Sequence, residues 1–394
     1  MSKELIVALQ FSRSDLADLL LKALRSASGI KVQQWTSPMA EKGSMAVKTA
    51  PDIIIIDESL ESGGNLLSRL RTIKDNFPQT SLFVVSPNRD PQNITDAMKA
   101  GASEYLVDPV DERILLNAIE EVRARLASSG RLAQGNVYCF MSAKGGLGAT
   151  VLAVNTAAAM ALNKKGAVAL FDLSLQSGDA SVLLDVIPQR TILDISQNIH
   201  RFDVALLRGV MFNHDIGLNF LAAPQNPEDA DEIHSDHVAK ILDLARRLYD
   251  QIIIDCPSMQ INECTIEAFR RSDKIFVLTD MSVTSVRNAV RLINLIRKLG
   301  ISTDKIEVVI NRFVKNNLLS VEDIEKNLQK SLYWMVPNEA FAEMVSSINR
   351  GVPLVKQASA SPFSRNIHQM IQKMLNQLDE PKFRGIRGLF GKSL

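Results

Sequence analysis

The chain has 394 residues, 46% of them hydrophobic and 23% charged, with a formal net charge of +1. That length exceeds what one hydrophobic core usually serves, so two domains are expected, and the composition is ordinary for globular proteins. The near-neutral balance excludes a global electrostatic footprint for nucleic acid and leaves only local basic patches.

The opening MSKELIVALQ carries charge too early for a signal peptide, and no apolar run is long enough to span a bilayer. The expectation is a cytoplasmic chain, attached to a membrane peripherally at most. Cys139, Cys256 and Cys264 lack metal-ligand spacing and read as buried free thiols in a reducing compartment.

LIVALQ (5–10) reads as a strand, followed by the helical SDLADLLLKALRSA with Ser14 or Asp15 as N-cap. PDIIIID (51–57) is a continuous apolar run ending in an acid, as buried parallel strands do. SLFVVSP (81–87) and EYLVDP (104–109) repeat the pattern, and the helix DERILLNAIEEVRARLASS fades into GRLAQGN. Five strands alternating with helices predict an α/β doubly wound, flavodoxin-like unit over 1–127, with a linker at 128–136. Strand candidates then restart at NVYCFMS (136–142) and continue with AVALFDL (167–173), QIIIDCP (251–257), KIFVLTD (274–280), KIEVVINRF (305–313) and LYWMVP (332–337). They predict a second α/β domain over 137–380, also a mostly parallel sheet with helices on both faces. The tail, 381–394, turns basic, glycine-rich and apolar.

FMSAKGGLGAT (140–150) joins a strand to an Ala-rich helix through Gly145, Gly146 and Gly148. Glycines let main-chain amides approach phosphate oxygens at the positive end of a helix. The candidate nucleotide-binding stretch is Lys144, Gly145, Gly146, Leu147, Gly148, Ala149, Thr150 and Val151, with Thr150 placed to offer its hydroxyl to Mg²⁺. Phosphate loops normally carry a lysine where Ala149 stands. Asp172 and Asp255 each end a strand, where acids approach a metal or its waters, although strand-terminal acids also serve as helix caps. Asn311 and Arg312 in INR, and Pro337 in VPNE, also follow strands and are candidates for a base pocket. A glycine turn merely linking strand to helix is the structural alternative.

KGGLGAT resembles the deviant Walker loop of the MinD/ParA ATPases, with Lys144 at the signature lysine and Thr150 at the Mg²⁺ ligand. The resemblance implies a P-loop fold binding ATP and Mg²⁺. It places Asp255 as the Walker B acid, Asp172 as the acid of the intervening strand, and Asn311 and Pro337 at the base pocket. It further implies a sandwich homodimer, in which Lys144 reaches the partner's phosphates, and catalytic roles for Asp172 and Lys144. Two positions depart from the family pattern: Ala149 lacks the loop lysine, and Ser174 stands where a water-positioning acid is common. Losing one such electrostatic contact costs on the order of 3 kcal/mol of transition-state stabilisation. Nucleotide binding with weak or absent hydrolysis is expected.

The first domain resembles a response-regulator receiver, with Asp57 at the phosphoacceptor position and Ser86 at the switch hydroxyl. The expected acidic pair is Gln10-Phe11, and the expected lysine is Asp108, so Asp57 faces another acid without a metal pair. Docking or dimerisation is the expected role. A receiver joined to such an ATPase resembles the TadZ/CpaE family of Flp (Tad) pilus assembly, a match that extends through 285–300 and 348–367. It implies a localisation scaffold at the cell pole that recruits pilus secretion machinery. The tail offers Phe383, Ile386 and Phe390 among Lys382, Arg384, Arg387 and Lys392, a pattern for anionic membrane, a partner or a solubilising extension. No helix-turn-helix signature stands out, so sequence-specific nucleic-acid binding is not expected. An active ATPase cycling on membrane or DNA, and a phosphorylation-controlled regulator, remain the alternatives.

Overall fold

A computed structural model describes residues 4–11, 13–26, 29–34, 50–58, 66–129, 134–164, 166–258, 261–315, 317–339 and 341–377. The tail 381–394 and residues 130–133 of the expected linker lie outside them. The chain divides into two compact units: Met1–Gly135 with Asn198–Gly209 and Asp243–Asp250, and the remainder.

The first sheet contains β1 (Leu5–Gln10), β2 (Ile30–Gln34), β3 (Ile53–Asp57), β4 (Ser81–Ser86) and β5 (Glu104–Val107). Its order is β2-β1-β3-β4-β5, every neighbouring pair parallel. The helices are α1 (Ser14–Ser26), α2 (Leu66–Asn76), α3 (Pro91–Lys99) and α4 (Glu112–Ser128). Strand side chains alternate between faces. Ile53 and Ile55 therefore enter a core with Leu20, Leu24 and Ile119, while Ile54 and Ile56 enter another with Leu70, Ile73 and Ala97. Burial on both faces is why the isoleucine run is unbroken. β2, the strand for which the sequence offers no apolar run, is an edge strand, and none of Ile30–Gln33 is buried. α1 begins at Ser14 with Asp15 in its first turn, so neither is the residue ahead of the helix.

The second sheet contains β6 (Asn136–Ser142), β7 (Val168–Asp172), β8 (Phe212–Asn213), β9 (Leu218–Leu221), β10 (Gln251–Asp255), β11 (Lys274–Thr279), β12 (Ile306–Phe313) and β13 (Leu332–Pro337). Its order is β13-β12-β11-β6-β10-β7-β9-β8. Every pair is parallel except β8 with β9. These two strands go unread in the sequence because β8 has only two residues and Asn219 interrupts the apolar run of β9. The helices continue as α5 (Ala149–Leu162), α6 (Ile192–Gln197), α7 (Val204–Val210), α8 (Ser235–Leu248), α9 (Glu263–Arg271), α10 (Val283–Lys298), α11 (Val321–Leu328), α12 (Phe341–Asn349), α13 (Leu354–Gln357) and α14 (Pro362–Met374). From Leu152 to Ala161 every residue of α5 is buried, as a helix apolar on all sides must be. It packs among β6, β7, β10, α13 and α14. The loop at its start is thereby held by the deepest helix of the unit. No described helix is long and apolar enough to cross a membrane.

Candidate nucleotide-binding site

β6 lies at the switch point of the second sheet, with β11 on one side and β10 on the other. In open α/β sheets the crevice beyond the strands' carboxyl ends opens there. The loop leaving β6 turns through Gly146 (φ +77) and Gly148 (φ +85), left-handed conformations that favour glycine. Gly148 is the N-cap of α5 and provides no side-chain cap, so the first amides of the helix face outward unclaimed by a capping group. A side chain at Gly145 or Gly146 would meet nothing within 4 Å, whereas one at Gly148 would come within 2.8 Å of Asn311 Nδ2. The loop is open on one side and packed on the other. Leu147 and Ala149 are buried in it, Thr150 and Val151 half-buried, and Lys144 exposed.

At the foot of the loop β7 and β10 end in register, Asp172 beside Asp255. Asp255 is 0% exposed, and neither carboxylate oxygen has a hydrogen-bond partner among the described residues. Burial pushes its pKa well up, the charge of Asp172 pushes it further, and the Thr150 hydroxyl acts in the opposite sense without completing a bond of ordinary geometry. Asp172, 1% exposed, is tied into the chain: Ser174 N–H donates to Oδ1 at 3.0 Å and Ala180 N–H to Oδ2 at 3.3 Å. Burial still raises it to about 7, and the charge of Asp179 adds to the rise. A side chain at Gly178 would stand 2.6 Å from Asp172 Oδ2, so the segment after β7 wraps closely on that carboxylate. Gly178 and Asp179 are site residues that sequence reading misses. The SGDA stretch is the only local signal for them.

A buried carboxylate left without partners is costly unless a cation or proton meets it. Among the described residues no group of three His, Cys, Asp or Glu residues could hold a metal alone. Mg²⁺, however, commonly binds through one or two protein oxygens plus phosphates. The Thr150 hydroxyl and the bare Asp255 carboxylate fit that donor set.

β12 and β13 bring together the two segments that the sequence offers as base-pocket candidates. Pro337 pairs with Phe313, and Asn338 N–H donates to Phe313 O at 3.2 Å. The side chains of Asn311 and Arg312 turn to the loop itself: Asn311 Nδ2 donates to Leu147 O at 2.7 Å and Arg312 Nη2 to Gly146 O at 3.1 Å.

The switch point of the first sheet is different. Asp57, 1% exposed, lies 3.8 Å from Arg13 Nε, while Arg13 Nη2 is 2.7 Å from Asp108 Oδ2. The sequence leaves Asp57 facing an acid; the fold places a guanidinium beside both carboxylates. Hydrogen bonding to Asp108 raises the Arg13 pKa further. The Ser86 hydroxyl donates to the Glu58 carboxylate and accepts from Asn88 N–H at 2.9 Å.

Two families of known proteins match the two parts separately. Residues 13–120 match the response regulator receiver domain, and residues 138–350 match the CobQ/CobB/MinD/ParA nucleotide binding domain. Septum site-determining protein MinD of Synechocystis sp. is 29% identical over 226 residues, 56% of this chain and 82% of that protein. A ParA family ATPase from Chlorobium tepidum TLS shares the fold with a TM-score of 0.57 at 26% identity, over 60% of this chain and 98% of that one. MinD from Pyrococcus horikoshii OT3, solved with Mg-ADP, does so with a TM-score of 0.52 at 17% identity, over 66% of this chain and 100% of that one. With its loop, strand-end acids and more than half its length matched, the chain belongs to the CobQ/CobB/MinD/ParA nucleotide-binding family and carries a response-regulator receiver domain ahead of that part.

Proposed function

We propose that ATP, bound with Mg²⁺, closes this protein into a homodimer that acts as a localisation scaffold and is hydrolysed weakly or not at all. The observation that carries the reading is Asp255: a fully buried carboxylate with no hydrogen-bond partner for either oxygen among the described residues, at the foot of an uncapped glycine loop. Bound Mg²⁺ would offset that charge together with the charge of the phosphates. The residues from Gly145 to Thr150 supply amides and a hydroxyl, and Lys144 is an exposed cation free to reach a second protomer. Ala149 and Ser174 remove the loop lysine and the usual water-positioning acid, which favours holding nucleotide over cleaving it.

The receiver supports a docking role, since Arg13 occupies the surroundings of Asp57 and Asp108. With domain limits of 1–127 and 137–380, and segments 285–300 and 348–367 as they stand, the TadZ/CpaE resemblance assigns the scaffold to Flp (Tad) pilus secretion machinery at the cell pole. The protein would work on the cytoplasmic side, with any membrane contact peripheral.

Purified full-length chain should dimerise on addition of MgATP, and Lys144→Ala should abolish that response at an unchanged melting temperature. A wild-type chain that contains no extractable nucleotide and stays monomeric with MgATP would sink the reading. One observation favours the second reading, an active ATPase: exposed Asp179 acts electrostatically on both Asp172 and Asp255. Mg²⁺-dependent phosphate release that disappears in Asp172→Ala would establish it.

A further inference from the structure

We propose that Arg312 supplies, from the same chain, the positive charge for the triphosphate that position 149 no longer provides; this rests on the nucleotide reading above. Ala149 opens α5 with its methyl group in the core and is 5% exposed. It brings no charge to the loop. The basic side chain that the structure sets against the loop is Arg312, whose Nη2 donates to Gly146 O at 3.1 Å. The residue is exposed, and a guanidinium carries five N–H donors, so the contact leaves donors for an anion.

Backbone geometry makes this contact specific. Successive side chains of a strand point to opposite faces, so two neighbours do not ordinarily reach one loop. Asn311 and Arg312 both do, holding Leu147 O and Gly146 O. The break in alternation lies at Arg312, which has φ +56, within a register shift between β12 and β13 from Ile310 to Phe313. An arginine in the left-handed region is uncommon, and such strain persists where surrounding structure enforces it, often at ligand sites. Here the departure turns a cation onto the glycine loop. Its bond also polarises the Gly146–Leu147 peptide, whose N–H belongs to the cradle, and charge-assisted bonds are about twice as strong as neutral ones.

The test is equilibrium binding of MgATP to the full chain, comparing wild type with R312Q, R312K, A149K and R312Q/A149K. Glutamine keeps a donor for Gly146 O but removes the charge. R312Q should weaken binding about tenfold and flatten its salt dependence, and R312K should lose about threefold or less. A149K should restore most of the loss in the R312Q background and add little to wild type. Circular dichroism and melting temperature confirm that each variant is folded, and R312M, which also removes the charge and should lose as much affinity and salt dependence, replaces R312Q if R312Q is not. Wild-type binding with R312Q within about twofold, or equal gains from A149K in both backgrounds, overturns the role of Arg312 alone. A wild-type chain that does not bind MgATP overturns the nucleotide reading and this proposal together.

Discussion

The two α/β units both end strands in buried acids at a switch point, yet they treat those acids in opposite ways. In the first, Arg13 stands 2.7 Å from Asp108 and 3.8 Å from Asp57. In the second, neither oxygen of Asp255 has a hydrogen-bond partner among the described residues, and the acid beside it accepts from the main-chain amides of Ser174 and Ala180. A carboxylate answered by an internal cation has little further demand for a metal. A bare one, in low dielectric, waits on a proton or an external cation. The same fold plan therefore yields one set of strand-end acids answered by a side chain of its own and one set that no described side-chain cation answers.

The largest expected effect tests the unanswered set. Asp255→Asn should weaken ATP binding about 100-fold in Mg²⁺ and hardly at all in EDTA, measured by calorimetry. Equal losses under both conditions would remove the distinction between the two sets.

A smaller effect sharpens the comparison through pH. Asp172, raised to about 7 in the ligand-free fold, keeps a proton that the unfolded chain releases near its ordinary value of 3.8. Between those values the folded state binds more protons, so stability must fall as pH rises through about 4 to 7. Asp255 acts in the same sense. Urea unfolding should show about 2 kcal/mol of such loss, flattened in Asp172→Asn, if the acids stand as the fold leaves them. Stability that rises across that window would mean that another group meets the acids.

The smallest effect belongs to the answered set. Arg13→Ala should lower the stability of the receiver only slightly, because solvent screens the pairs that Arg13 makes with Asp57 and Asp108. The wild-type chain should take no label from acetyl phosphate at Asp57. Labelling of the wild type would break the claim that Arg13 closes the site.

Much of this was legible in the residues. IIIID and QIIID announced central strands because burial on both faces demands unbroken apolar runs. The glycine loop announced itself because φ above zero at Gly146 and Gly148 narrows the choice of residue. β2, β8 and β9 were not legible: an edge strand need not be apolar, a two-residue strand carries no period, and Asn219 interrupts the apolar run of β9. Arg13, Gly178 and Asp179 escaped for a related reason, and Arg312 was read toward a base pocket and not toward the loop it meets. Each acts through a contact made in space, and an exposed arginine looks the same in sequence whether or not it meets an acid or a loop.

The amino-acid order by itself determined that two α/β units exist, which strands are central, and that one glycine turn joins a central strand to a buried helix, because backbone conformation and hydrophobic period are local properties. Only the tertiary structure decided which charges meet. It set Arg13 against Asp57 and Asp108, left Asp255 bare, and turned Arg312 onto the loop. Electrostatic pairing depends on distance and burial between residues far apart in the chain, and those are settled only when the sheets close.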